Sequence, residues 1–152
     1  MARILVVEDN ALNIKLFCDL LNAHGHETQP VLDSREAMEA ARGFKPDLVI
    51  TDIQLPHLSG LELMEMIRSD EDLQGVPIMA VTAYSAQGDE ERIRAAGAQA
   101  YVSKPISVMR FAETVDELLS RGRVEAENES GGPVTETAQR EVEPNRGSGE
   151  AD

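Results

Sequence analysis

A short apolar run that ends in a carboxylate constrains the fold of this chain more than any other stretch. The run spans residues 48–52 (LVITD), and a loop containing Pro56 and Gly60 follows it. A strand without polar alternation is buried on both faces, which is typical of a parallel sheet. Ligands bind beyond the carboxyl ends of the strands in open α/β sheets, so Asp52 is a candidate functional residue.

Four further strand patterns alternate with helical patterns over residues 1–121. The other expected strands cover residues 3–7, 27–31, 76–81 and 100–103, and the second of five expected helices is predicted to end near Arg42. Pro30 cannot donate to a sheet ladder, which places its strand at an edge. Right-handed crossovers then predict an α/β fold, a flavodoxin-like (βα)5 doubly wound parallel sheet with strand order 2-1-3-4-5.

The last two expected helices differ in their apolar stripes. Residues 87–96 are rich in charge and alanine, and Ile93 and Ala96 are their main inward positions. We expect this fourth helix to pack loosely and to move at low cost. The fifth helix has a good apolar stripe that includes Val108, Phe111 and Val115.

Composition separates a domain over residues 1–121 from a tail over residues 122–152. The tail holds eight acidic and three basic residues, and three valines are its only large apolar side chains. Such a segment buries too little apolar surface to offset the entropy of ordering it. We therefore predict a disordered acidic tail, which is either a plain solvated extension, the interpretation we favour, or a recruitment or degradation segment.

Charge and cysteine content exclude several classes of function. The formal net charge of -14 argues against binding to nucleic acid or to an anionic membrane surface. Every apolar run is shorter than the roughly 20 residues that a membrane helix needs. Cys18 is the only cysteine, so no intrachain disulfide forms, and the first residues lack a signal-peptide pattern. These features predict a cytoplasmic protein.

Polar groups stand at the ends of four expected strands: Glu8 and Asp9, Asp52, Thr82, and Lys104. The predicted strand order brings these groups together at one edge of the sheet. Crowded carboxylates repel one another, and a divalent cation removes that repulsion. Ligation by oxygen alone, without histidine or cysteine, favours Mg²⁺. The sequence therefore predicts a magnesium site.

This constellation suits phosphoryl transfer. An ionised Asp52 can attack phosphorus to give an acyl phosphate, while Lys104 neutralises the phosphoryl oxygens and Thr82 donates a hydrogen bond to one of them. Asp52 could instead be an ordinary helix-capping or loop acid. The joint presence of the other polar strand ends favours the phosphoacceptor interpretation.

Residues 1–121 resemble the receiver domain of two-component response regulators. The resemblance rests on motifs in a fixed order: LVVEDN at 5–10, DIQLP at 52–56, glycine at 60, VTA at 81–83 and SKP at 103–105. Residues 88–94 and 103–108 are most similar to the DivK type of single-domain response regulator. The resemblance implies that a sensor histidine kinase or a histidine phosphotransfer protein donates the phosphoryl group. It also implies self-catalysed phosphotransfer and autodephosphorylation, without enzymatic turnover of a separate substrate.

The resemblance implies a role for each matching acidic position. Asp52 is the phosphoacceptor and a metal ligand. Asp9 binds Mg²⁺ directly, Glu8 acts mainly through water, and Gln54 contributes its backbone carbonyl.

It also implies a switch. Thr82 and Lys104 contact the phosphoryl group, Thr82 and Tyr101 form the switch pair, and the Lys104–Pro105 bond is cis. Tyr101 could instead be ordinary half-buried packing. The face made by the fourth helix, fifth strand and fifth helix would then bind a downstream protein. The protein itself would be a monomer or a phosphorylation-linked dimer.

Two other functions stay open at this point. A phosphate shuttle or sink would use the same acceptor but would signal by phosphate flow. A Mg²⁺-dependent small-molecule phosphatase would need a general acid near its nucleophile. Gln54 stands where that acid is expected, and the loops are too short to form a cap over the site. The sequence therefore favours a regulator over an enzyme.

Overall fold

The computed structural model describes residues 2–83 and 87–122. Apart from Gly122, the predicted tail therefore lies outside the described residues. Five strands alternate with five helices. The strands are β1 (Arg3–Val7), β2 (Glu27–Val31), β3 (Leu48–Asp52), β4 (Ile78–Thr82) and β5 (Ala100–Ser103). The helices are α1 (Ala11–Ala23), α2 (Ala37–Phe44), α3 (Gly60–Ser69), α4 (Gln87–Ala96) and α5 (Val108–Arg121). None of these helices is long and apolar enough to cross a bilayer.

The strands form one parallel sheet in the order β2-β1-β3-β4-β5, which confirms the predicted fold class. β2 lies at an edge, as Pro30 requires. β3 and β4 lie inside the sheet and are buried along their whole length. The carboxyl ends of β1, β3, β4 and β5 therefore meet at one edge.

The sheet has a separate apolar core on each face because successive strand residues point to opposite sides. Leu5 and Val49 belong to the core under α2, α3 and α4. Ile4 and Ile50 belong to the core under α1 and α5, where Phe111 stacks on an α1 phenylalanine. Both cores are needed to bury the central strands, so the strand ends are held from both sides.

Two element boundaries and one expected core position differ from the sequence expectation. α2 continues to Phe44 instead of ending near Arg42, because the Phe44 ring is buried and the Arg3 guanidinium lies 4.4 Å from its centroid. β4 begins at Ile78, two residues later than expected. Val108 is 51% exposed and does not join the α5 core stripe, because it stands in the first turn of the helix.

Arg68 on α3 organises the edge of the sheet away from the polar strand ends. Its guanidinium donates to backbone carbonyls of Gln74, Val76 and Gly97 and to the Gln99 side chain, at 2.6–3.2 Å. Burial lowers the pKa of Arg68 to about 10. This single side chain joins α3 to the segments that precede β4 and β5.

Candidate functional site

Three carboxylates converge where β1 and β3 end. One ligand oxygen from each of Glu8, Asp9 and Asp52 lies within 4.8 Å of the others. Glu8 and Asp52 are buried, whereas Asp9 is exposed. The cluster is therefore embedded in the sheet edge on one side and open to solvent on the other.

Lys104 approaches two of these acids from the end of β5. Its Nζ lies 2.6 Å from Asp52 Oδ2 and 3.2 Å from Glu8 Oε1. Burial raises the pKa of Glu8, and the charge of Asp52 adds to that effect. Burial by itself would lower the pKa of Lys104, but its hydrogen bond to Asp52 and the charges of both acids outweigh burial and raise it. The lysine is therefore held in its charged form beside the carboxylates.

Backbone amides orient the same carboxylates. The Gln54 N–H donates to Asp52 Oδ1 at 3.2 Å, and the Asn10 N–H donates to Glu8 Oε2 at 3.0 Å. Asn10 also caps α1 by accepting from the Asn13 N–H. The turn that begins α1 therefore fixes the position of Glu8 as well.

The loop between β3 and α3 packs against the backbone of Asp52. A Cβ on Gly60 would overlap the Asp52 carbonyl oxygen and lie 2.7 Å from Ile53 Cα, so this position requires glycine. The buried Ser34 hydroxyl donates to the Pro56 carbonyl at 3.1 Å and anchors the loop from outside. Sequence reasoning did not find this role, because no local pattern around Ser34 indicates a contact to a residue 22 positions away.

Thr82 and Tyr101 lie on neighbouring strands and on the same face of the sheet. Thr82 is fully buried, and its carbonyl accepts from the Lys104 N–H at 2.7 Å. The register pairs Ala80 with Tyr101, and Thr82 follows Ala80 by two residues, so all three side chains share one face. The Lys104–Pro105 peptide bond is cis. The structure thus brings the predicted polar strand ends to the same edge of the sheet, with Tyr101 further back along β5.

Tyr101 itself is half-buried and points its hydroxyl at α4. The hydroxyl donates to Glu90 Oε1 at 3.1 Å. Arg94 pairs with Glu90 at 3.2 Å, and its guanidinium carbon lies 5.9 Å from the Tyr101 ring centroid. Sequence reasoning missed Glu90 and Arg94. Their spacing of four residues was a signal for a pair on one helix face, but it carried no information about β5.

The donor set fits a hard divalent cation. All three converging side chains offer carboxylate oxygens, which are the ligands that Mg²⁺ prefers. Glu8 Oε1 is buried without a hydrogen bond of good geometry to any residue in the described ranges, and its contact to Lys104 is an ion pair. A buried carboxylate oxygen of this kind can be satisfied by a cation or by its hydration shell.

A family model for the response regulator receiver domain matches residues 4–116. The chain belongs to this receiver family. Two curated relatives are the polar-differentiation response regulators DivK of Brucella anthropi and Brucella ovis, 51% and 52% identical over 116 residues. Each match covers 76% of this chain and 94% of the relative. The resemblance predicted from the motifs is confirmed.

Solved structures agree with this assignment. The receiver domain of the sensor histidine kinase PA1611 from Pseudomonas aeruginosa has a TM-score of 0.72 and 31% identity, with 78% of this chain and 98% of that chain covered. That structure holds a magnesium ion in its active-site cleft. The chemotaxis response regulator CheY4 of Vibrio cholerae, with a TM-score of 0.74 and 24% identity over 78% of this chain and 98% of that one, shares the fold.

As a receiver, the protein is a component of two-component signalling. Membership of the family implies a histidine kinase or a histidine phosphotransfer protein as partner. The acidic cluster lies at the edge of the sheet where ligands bind in this class of fold.

Proposed function

We propose that this receiver accepts a phosphoryl group on Asp52 and signals through phosphorylation-dependent protein contacts. The observation that carries the proposal is the placement of Lys104 Nζ 2.6 Å from Asp52 Oδ2 within a cluster of three carboxylates. A nucleophile beside a fixed cation at a solvent-open edge is suited to an anionic substrate.

The metal belongs to the same proposal. Asp9, Asp52 and the backbone carbonyl of Gln54 would hold Mg²⁺, with Glu8 acting mainly through water. When bound, the ion offsets the negative charge that collects on the phosphoryl oxygens. The opening on the Asp9 side leaves room for water and substrate oxygens around the ion.

The reaction transfers a phosphoryl group from a phosphohistidine of the kinase or phosphotransfer partner. An Asp52 carboxylate oxygen forms the new bond to phosphorus as the phosphorus–nitrogen bond breaks, and the leaving imidazole keeps the electron pair and takes up a proton. Lys104 stays charged and neutralises phosphoryl oxygens, and the Thr82 hydroxyl donates to one of them. The product is an acyl phosphate on Asp52.

The new charge supplies the signal. A phosphoryl group adds roughly 1.5 to 2 negative charges near neutral pH. Thr82 moves toward it, and Tyr101 enters the space that Thr82 leaves. This movement changes the face formed by α4, β5 and α5, where a downstream protein binds. Phosphorylation only has to favour one of two existing states. A cytoplasmic location, as the sequence predicts, belongs to the same proposal.

Intact-mass spectrometry tests the proposal directly. Incubation with Mg²⁺ and acetyl phosphate should add the mass of one phosphoryl group to the wild-type chain. Asp52→Asn and chelation of Mg²⁺ should each abolish the adduct. Asp19→Asn, at an exposed ion pair on α1, is the matched control and should keep it.

In a second experiment, a phosphorylated histidine phosphotransfer protein replaces acetyl phosphate as the donor. If wild type gains no adduct from either donor, or if Asp52→Asn is modified as well as wild type, the acceptor assignment is wrong. Rapid return of the phosphoryl group to the donor, with no phosphorylation-dependent partner, would instead identify a phosphate shuttle or sink.

A further inference from the structure

Polar contacts join α4 to β5 in addition to apolar packing. Among its described side chains, residues 90–96, Ile93 and Ala96 are buried. The other contacts between α4 and β5 centre on Glu90 and Arg94, which form an ion pair one helical turn apart. Arg94 also donates to the Gln99 carbonyl, immediately before β5, at 3.1 Å.

Tyr101 is part of this polar group. Its hydroxyl donates to the carboxylate of Glu90, and the Arg94 guanidinium lies over its ring. A hydrogen bond to an ionised acceptor is stronger than one between neutral groups. These contacts hold the tyrosine ring at the surface between α4 and β5, where it is only half-buried.

The same contacts stand in the way of the movement that the proposed function requires. The register places Tyr101 beside Ala80, and Thr82 lies two residues further along the same face. For the ring to move from its present place toward Thr82, its hydroxyl must leave Glu90 and its face must leave Arg94. The stability of these contacts therefore enters the equilibrium between the two orientations of Tyr101.

We propose that Glu90 and Arg94 form a latch that holds Tyr101 in its outward orientation and thereby lowers the affinity of Asp52 for a phosphoryl group. The inference rests on the proposed function and names the regulation of that same site. Both latch residues act through Tyr101, so they are positioning residues. A ligand that favours the inward orientation must break the latch, and the free energy of the broken contacts weakens its binding. Removing the latch should therefore raise the affinity for that ligand by the factor that corresponds to this free energy.

Beryllofluoride, which binds an acceptor aspartate as a phosphoryl mimic, is the probe. Titration calorimetry on the full chain at saturating Mg²⁺ gives its Kd. Glu90→Ala should lower that Kd by about threefold to tenfold, the range expected for loss of one or two exposed hydrogen-bonded contacts. Glu90→Gln keeps an acceptor for the tyrosine hydroxyl but loses the pair with Arg94, so it should fall between Ala and wild type.

Two comparisons separate a latch from a general structural role. Glu91→Ala removes the neighbouring exposed charge on the same helix and should leave the Kd unchanged. In a Tyr101→Phe background, where the donor to Glu90 is missing, Glu90→Ala should have less than half of its effect in wild type. Thermal unfolding of each variant shows whether the fold is intact.

The outcomes distinguish the latch from the proposed function. If wild type fails to bind beryllofluoride with Mg²⁺, the phosphoacceptor proposal fails first. If wild type binds it but Glu90→Ala leaves the Kd unchanged or raises it, the latch is wrong and the phosphoacceptor proposal stands. An equal effect of Glu90→Ala with and without the Tyr101 hydroxyl also overturns the latch.

Discussion

β3, which ends at Asp52, is buried along its whole length, whereas β5, which carries Tyr101, has one buried residue in four. The loop after β3 presses a glycine against the strand backbone and is anchored by a buried serine. The helix before β5 buries Ile93 and Ala96 and is otherwise joined to β5 through a surface ion pair and a tyrosine hydroxyl. We call these the Asp52 side and the Tyr101 side of the site.

The difference fits the division of tasks that the proposed function requires. A nucleophile and metal ligands must be held in position before substrate arrives, which favours close packing. An element that changes orientation must have a second state within a few kcal/mol, which favours few buried contacts and many exposed ones. The contrast between the two sides can be tested by substitutions of decreasing expected effect.

The largest effect should come from Gly60→Ala on the Asp52 side. The added methyl group meets backbone atoms of Asp52 and Ile53, which cannot rotate away, so we expect a loss of about 3 kcal/mol of unfolding free energy in urea titration. Gly43→Ala is the matched control, because nothing lies within 4 Å of its Cβ in α2. It should raise stability by about 0.5–1 kcal/mol. Equal behaviour of the two variants would contradict close packing at Asp52.

Ser34→Ala should have the next largest effect. It removes a buried hydrogen bond and leaves the Pro56 carbonyl without that donor, which costs about 1–2 kcal/mol. Because this loop also carries Gln54, the affinity for Mg²⁺, measured by calorimetry, should fall as well. A Ser34→Ala variant that is destabilised but binds Mg²⁺ as tightly as wild type would show that the serine supports the fold without positioning the site.

Ile93→Val examines the apolar part of the Tyr101 side. Loss of one buried methylene should cost about 1 kcal/mol. We expect amide hydrogen exchange to accelerate over residues 90–96 while the amides of β3 are unchanged, since α4 can open without the rest of the sheet. Acceleration that spreads equally to β3 would mean that the two sides open as one unit.

Arg94→Ala should have the smallest effect on stability. Exposed ion pairs contribute about 0.2–1 kcal/mol and are screened by salt, so the difference from wild type in urea titration should shrink at high ionic strength. A salt-independent loss well above 1 kcal/mol would show that α4 is held far more firmly than its burial pattern suggests.

The sequence predicted the sheet from its apolar runs, and it predicted the strand order from right-handed crossovers and the edge position that Pro30 requires. The strand ends that meet follow from that order. The residues that join distant segments were not predictable in the same way. Ser34 and Glu90 have ordinary local interpretations, as the start of a helix and as a helix-surface charge. Their contacts to Pro56 and Tyr101 depend on how loops and helices pack against the sheet, and no local sequence pattern specifies this packing.

The errors at the end of α2 and at Val108 have the same origin. α2 extends to Phe44 because that ring finds a buried position under Arg3, more than 40 residues away in sequence. Val108 fits a helical stripe by spacing, but the first turn of α5 projects beyond the core and leaves it exposed. In both cases the tertiary environment, and not the periodicity, decides the outcome.

Arg68 has a consequence for any attempt to divide this protein into fragments. Two of its carbonyl partners precede β4, and its contacts at Gly97 and Gln99 precede β5. A fragment that ends before residue 97 would keep the guanidinium with its Gln74 and Val76 acceptors but would lose the acceptors at Gly97 and Gln99. Splitting the chain between β4 and β5 for complementation or a circular permutation would therefore favour reassembly of the pieces, because only then does Arg68 regain its contacts at Gly97 and Gln99. A cut in the exposed turn between α1 and β2 would leave that charge fully paired.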